Sequence, residues 1–150
     1  MTALGTLMRH VHELMDGAIA GIYADFGLPE YRPRYSPVVR TLREQGPMAI
    51  RDLAKAIGVT HSAASQTVVQ MQRGEFVTLE KGTDARHRIV HLSAKARAAL
   101  PLIEAEWEAT RRAMRELDEE LPVPLEELLL AILAALERRD FRERIGDISL

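Results

Sequence analysis

Apolar residues recur at Leu4, Met8, Val11, Met15, Ala18, Ile22 and Phe26, in steps of three and four. That period predicts one long amphipathic helix over the first 26 residues. Further apolar positions at Leu7, Leu14, Ile19 and Tyr23 widen the stripe beyond what one neighbour needs, which points to subunit contact as well as core packing. Gly17 and Gly21 share a face and admit a second backbone at close range, at some cost in helix stability. Gly27 and Pro29 end the helix, and Tyr31-Arg32-Pro33-Arg34-Tyr35 reads as extended loop. Ser36-Pro37 then offers an N-cap hydroxyl followed by proline at the first helical position. The helix it opens, Pro37–Gln45, buries Val38, Val39 and Leu42 and stops at Gly46-Pro47.

A short helix follows over Ile50–Ile57, with Ile50, Leu53, Ala54 and Ile57 on one side. Gly58 supplies the left-handed residue that ends it, Val59 plugs the turn, and Thr60 caps a second helix from His61 to about Arg73. That helix buries Ala64, Thr67, Val68 and Met71 and turns Ser62, Ser65, Gln66, Val69, Gln70 and Arg73 outward. Phe76–Glu80 and Arg88–Leu92 alternate as strands about the tip Lys81-Gly82-Thr83-Asp84-Ala85-Arg86, a β-hairpin. Ser93 caps a long helix to about Glu120, with Pro101 inside it predicting a kink near Leu100. Pro122 and Pro124 break the chain before a last helix whose Leu125, Leu128, Leu129, Ile132, Leu133 and Leu136 form another wide apolar stripe. The fold class is therefore mainly α with a small β-hairpin wing: a winged helix-turn-helix flanked by N- and C-terminal dimerisation helices.

Helix, glycine turn, then a helix with a small and polar outer face is a helix-turn-helix unit. Small side chains at Ser62, Ala63 and Ser65 let the second helix sink into a major groove, with His61 at its start. Gln66 and Gln70 have the donor and acceptor pair that reads a base edge, most naturally adenine N6/N7. Arg51, Lys55 and Arg73 flank the unit as phosphate contacts, which fix register rather than sequence. On the hairpin, Lys81, Arg86 and Arg88 suit a narrow minor groove of high negative potential, and Asp84 is the intramolecular partner that orients Arg86.

The run Leu53-Ala54-x-x-Ile57-Gly58-Val59-x-x-Ser62-x-x-Ser65, followed by Asp84-x-Arg86 and Leu92-Ser93, resembles the MarR family of winged-helix regulators. The resemblance covers the whole chain as a single MarR-like domain over 1–150, with dimerisation helices at about 1–30 and 98–150 and the winged helix-turn-helix at about 34–97. It implies that Arg86 enters the minor groove held by Asp84, and that Ser62, Ser65 and Gln66 face the major groove. It also implies release from DNA by a small aromatic or phenolic anion bound near His12, Tyr35, Arg40 and Trp107. The family ends this recognition helix with a glycine before two apolar residues. Here Gly74 precedes Glu75, Phe76 and Val77, one position early, and Ala96 stands where the family favours glycine.

Charge changes the picture only through its distribution. The chain has 150 residues and net charge −2, but residues 32–97 hold twelve Lys/Arg against five acids, net +7, between two acidic ends. A basic middle is the footprint of a polyanion-binding surface, here double-stranded DNA. One recognition helix reads too few base pairs for useful specificity, so a homodimer reading an inverted repeat, with half-sites about 10 base pairs apart, is expected.

Zero cysteines exclude a disulfide scaffold, a thiolate metal site and a peroxide-sensing thiol. His10 and His12 point in different directions, His87 and His91 share a strand face without a free carboxylate, and no His-x-x-x-His lies on a helix, so no metal is expected. No cofactor is called for. No phosphate-binding glycine loop, nucleophile elbow or convergent acid–base set argues for an enzyme. No run approaches about 18 apolar residues and no basic-then-apolar leader opens the chain, so a cytoplasmic protein without membrane contact is expected. The whole points to a ligand-responsive repressor. The alternatives are a winged-helix protein–protein interaction module without DNA binding and a metal-responsive regulator.

Overall fold

The computed structural model describes residues 3–83 and 87–146. The elements run α1 (Leu4–Asp25), a 3-10 turn (Pro33–Tyr35), α2 (Ser36–Gln45), β1 (Met48–Ala49), α3 (Ile50–Ile57), α4 (His61–Arg73), β2 (Val77–Lys81), β3 (Arg88–Leu92), α5 (Ala94–Glu119), α6 (Leu125–Arg138) and α7 (Phe141–Ile145). They form two compact units, Met1–Trp107 and Glu108–Leu150.

In the first unit, β3 is the middle strand of a three-stranded antiparallel sheet in the order β1-β3-β2. The hairpin register pairs Val77 with Leu92 and Lys81 with Arg88, while Met48 and Ala49 pair with Val90 and Ile89 on the other edge. A two-residue strand has too little alternation to show in a sequence, and the apolar pattern revealed neither β1 nor the short α7. The second unit holds the end of α5, α6 and α7. There Asp118 Oδ1 accepts the Leu125 N–H at 2.9 Å across the proline-rich turn, and Asp140 caps α7 through the Glu143 N–H.

Two local expectations are corrected. Residues 33–35 wind into a 3-10 turn rather than extended loop, and α2 continues directly from it, so Ser36 has helical backbone angles instead of capping. Its hydroxyl lies 3.2 Å from the Tyr31 hydroxyl. Val59, expected to plug the helix-turn-helix, stays exposed; the turn closes through backbone, with the Gly58 and Val59 N–H groups both reaching the Ala54 carbonyl at 3.0 Å.

The core of the first unit is aromatic at its centre. Tyr31 is fully buried, with ring centroids 4.3 Å from Tyr23, 5.6 Å from Tyr35 and 5.3 Å from Phe76. This cluster ties α1, the 3-10 turn and the start of the hairpin together, and Val39, Leu53, Val68, Met71, Val90 and Ile103 complete the core around it.

The early glycine at the end of α4 has a physical explanation. A Cβ on Gly74 would lie 3.1 Å from two carbons of the Phe76 ring, so the buried ring presses against that position. The helix instead terminates through Glu75, which takes the left-handed conformation at φ 62°, while the Phe76 N–H bonds the Met71 carbonyl at 2.8 Å. A left-handed non-glycine residue costs about 1–2 kcal/mol. Glycine at this position loses more chain entropy on folding, so Glu75→Gly is expected to raise the unfolding free energy by about 0.5–1 kcal/mol. Urea denaturation at fixed protein concentration checks it; a loss of stability would show that the Glu75 side chain contributes more than its backbone costs.

Candidate nucleic-acid interface

The helix-turn-helix is built by two capped joints. Gly58 sits at φ 79° and ψ 34°, the left-handed conformation that glycine adopts without steric penalty. Thr60 Oγ1 then accepts the Ala63 N–H at 3.1 Å and fixes the start of α4. From that start α4 buries Ala64, Val68 and Met71 against α3 and the sheet.

The opposite side of α4 is the surface the sequence predicted. His61, Ser62 and Gln66 are exposed and Ser65 is half-exposed. Ser65, Gln66, Val69, Gln70 and Arg73 line a shallow groove of about 240 Å3. Gln70 is drawn inward: its Oε1 is buried and has no hydrogen-bond partner. A buried carbonyl oxygen without a donor is costly, so Gln70 presents its amide less freely than Gln66.

Around this face stand the cations. Arg51 and Lys55 are exposed one turn apart on α3, with Arg51 Nε 3.6 Å from Asp52, a loose surface pair that leaves the guanidinium available. Arg73 is exposed in the last turn of α4. On the hairpin, Lys81 and Arg88 are exposed and directly opposite each other in the register. Like charges facing each other across a ladder destabilise a hairpin. Beyond this pair the Gly82 N–H donates to the His87 carbonyl at 2.7 Å, and a Cβ on Gly82 would lie 2.8 Å from that oxygen, so the turn requires glycine. Farther back, His91 Nε2 lies 3.1 Å from a Glu80 carboxylate oxygen. Asp84 and Arg86 lie outside the described residues.

The four residues expected to meet an effector occupy three settings. Tyr35 belongs to the aromatic core. Arg40 and Trp107 do come together, the guanidinium carbon 4.5 Å from the indole centroid. Trp107 is buried, and its Nε1 has no hydrogen-bond partner. His12 is exposed and lines a separate groove of about 330 Å3 with Asp16, Arg32, Pro33 and Arg34. Sequence reasoning missed the buried polar contact nearby, in which the Tyr23 hydroxyl donates to Glu106 Oε2 at 2.8 Å. Burial, reinforced by this acceptor, raises the Tyr23 hydroxyl far above its ordinary value and keeps it protonated. Glu106 looks in sequence like any acid on a solvated helix, so nothing announced it.

Among the described residues no group of three His, Asp or Glu side chains is placed to hold a metal ion, and no helix is long and apolar enough to cross a membrane.

The MarR family's sequence model matches residues 37–87. Solved structures share the fold over most of the chain. The M. tuberculosis transcriptional regulator MosR in complex with DNA is 21% identical, with a TM-score of 0.67 over 92% of this chain and 99% of that one. Overoxidized AbfR bound to DNA is 14% identical, with a TM-score of 0.66 over 90% of each chain. A mutant MarR from E. coli complexed with operator DNA is 16% identical, with a TM-score of 0.64 over 89% of this chain and 92% of that one. No curated protein matches the sequence. The helix-turn-helix and the first wing strand lie within the segment that matches the MarR family model, and over most of its length the chain has the fold of these solved regulators.

Proposed function

We propose that this protein is a homodimeric repressor that reads an inverted-repeat operator in double-stranded DNA and leaves it when a small aromatic anion binds. The observation that carries the reading is the pair Lys81 and Arg88, held face to face at the base of the wing beside an exposed, small and polar recognition helix. A protein-binding derivative of the fold gains nothing from that repulsion. MosR, AbfR and the E. coli MarR mutant were each solved on DNA, which supports the same use here.

In this reading Ser62, Ser65 and Gln66 face the major groove, with His61 and Gln70 at its edges. Arg51, Lys55 and Arg73 hold phosphates, and Arg86, oriented by Asp84, enters the flanking minor groove with Lys81 and Arg88 behind it. The dimer is supported by apolar residues left in solvent: Leu4, Leu7, Met8, Val11 and Leu14 on α1, and separately Leu128, Leu129, Leu130, Ile132 and Leu133 on α6. Stripes of this size mark association surfaces. The action is binding rather than catalysis, in the cytoplasm where its DNA lies.

For the effector, the strongest support is Trp107. An indole N–H buried without an acceptor costs about 1–3 kcal/mol, and Arg40 stands over the same ring. A carboxylate or phenolate placed here would accept from both. His12 and Tyr35 lie in different surroundings and contribute less to this reading.

Binding to the protein's own upstream intergenic DNA, against random duplex at several salt concentrations, tests the function. Tight and selective binding with a steep salt slope is expected; weak binding without preference would indicate a protein-interaction module instead. Gln66→Ala is expected to lower discrimination between the two DNAs by about 1–3 kcal/mol, whereas equal loss on both would make Gln66 a phosphate contact. Arg86→Ala should weaken operator binding with the dimer and its melting temperature intact, and unchanged affinity would remove the wing from the mechanism. Trp107 is the single tryptophan, so titration with salicylate should shift its fluorescence in the native protein and not in Arg40→Ala. An unchanged spectrum at millimolar salicylate would dismiss this effector site.

A further inference from the structure

The start of α4 is fixed by the Thr60 cap, but its other end is held by residues from outside the helix-turn-helix. Three consecutive carbonyls follow the helix there, and Ser93 and Lys95, at the start of α5, bind all of them. Lys95 Nζ donates to the Gly74 carbonyl at 2.9 Å, the Ser93 hydroxyl donates to the Glu75 carbonyl at 2.5 Å, and the Ser93 N–H donates to the Phe76 carbonyl at 3.0 Å. Lys95 suits its position, because a cation at a helix C-terminus faces the negative end of the helix dipole.

Lys95 does more than cap. Its Nζ also pairs with the carboxylate of Glu30, in the segment between α1 and the 3-10 turn, and lies 4.6 Å from the centroid of the Phe76 ring. One ammonium thus joins the segment after α1, the end of the recognition helix and the first turn of α5. The pair is only partly solvated, with side-chain exposures of 33% for Lys95 and 39% for Glu30.

We propose that Lys95 is a positioning residue for DNA reading, a latch that ties the end of the recognition helix to the segment following α1. The inference rests on the DNA-reading function proposed above and adds a residue that acts without contacting a base. With the Thr60 end fixed, release of the Gly74 carbonyl lets α4 tilt about its start and carries Gln66 and Arg73 progressively out of place. Base hydrogen bonds fall off steeply with distance and angle. The attraction of a cation to the phosphate backbone falls off slowly. Loss of the latch therefore reduces discrimination more than total affinity, and movement of the Glu30 segment reaches the recognition helix through the same ammonium.

The test uses Lys95→Met, which keeps the aliphatic stem over Phe76 and removes the charge, with Lys95→Arg and Glu30→Gln beside it. The DNA probe is the duplex that the wild-type protein selects from a random library, compared with a scrambled duplex of equal length. Lys95→Met should lower the affinity ratio by about tenfold, the scale of a charge-assisted hydrogen bond, with the salt slope unchanged. Lys95→Arg should restore most of the ratio, Glu30→Gln should lose part of it, and Glu30→Gln should add nothing in the Lys95→Met background. Without DNA, amide exchange over residues 71–77 should accelerate in Lys95→Met while residues 61–68 keep their protection. An unchanged ratio, or unchanged exchange, would overturn the latch. Equal weakening on both duplexes with a salt slope smaller by about one would also overturn it, making Lys95 a phosphate contact. If wild type selects no preferred duplex, the DNA-reading function fails, and the exchange measurement alone decides whether the latch exists.

Discussion

The burial of the Phe76 ring is the constraint on which the first unit depends. Phe76 follows the recognition helix and precedes the wing, so its position sets the angle between them. It lies fully buried with Tyr31 and Tyr35 at 5.3 and 5.9 Å between centroids, and Tyr31 in turn packs at a tilt against Tyr23 of α1. Each such aromatic pair is worth about 0.5–1.5 kcal/mol beyond the area it buries. The three tyrosines of the chain are all in this cluster. They leave the outer face of α4 to small polar groups and cations, and they connect the long first helix to the helix-turn-helix.

Several irregularities around the ring follow from that burial. The ring sits close against Gly74, where a Cβ would come within 3.1 Å of it, and the left-handed residue that ends the helix is Glu75. The carbonyls at this exit need donors, and Ser93, just before α5, and Lys95 in its first turn supply them. The left-handed conformation at Glu75 persists because the contacts on either side of it fix the chain's exit from α4. The recognition helix is therefore gripped at both ends, by Thr60 within the helix-turn-helix and by α5 from outside it.

The helices were legible in the sequence because their apolar residues keep the helical period over many turns; α1, α3, α4, α5 and α6 fall close to where Leu4–Phe26, Ile50–Ile57, His61–Arg73 and the leucine-rich segments place them. Gly58 and Thr60 were readable because each residue type has a local stereochemical reason to be there. Elements that rest on tertiary pairing were not readable. Met48–Ala49 becomes a strand only because β3 lies beside it, and residues 33–35 wind into a turn because Tyr31 and Tyr35 are drawn into the core. The same holds for side chains. Ser62 and Gln66 were visible as an outward polar face, whereas the inward turn of Gln70, the Tyr23–Glu106 hydrogen bond and the reach of Lys95 to Glu30 depend on long-range neighbours that no local pattern carries.

The central claim is that two copies of this recognition face read one stretch of DNA as a symmetric pair, and a hydroxyl-radical footprint of the protein on its selected duplex tests that most directly. The account predicts two protected half-sites about 10 base pairs apart, related by a dyad and lying on one face of the duplex. A single protected half-site, or uniform protection along the whole fragment, would contradict it.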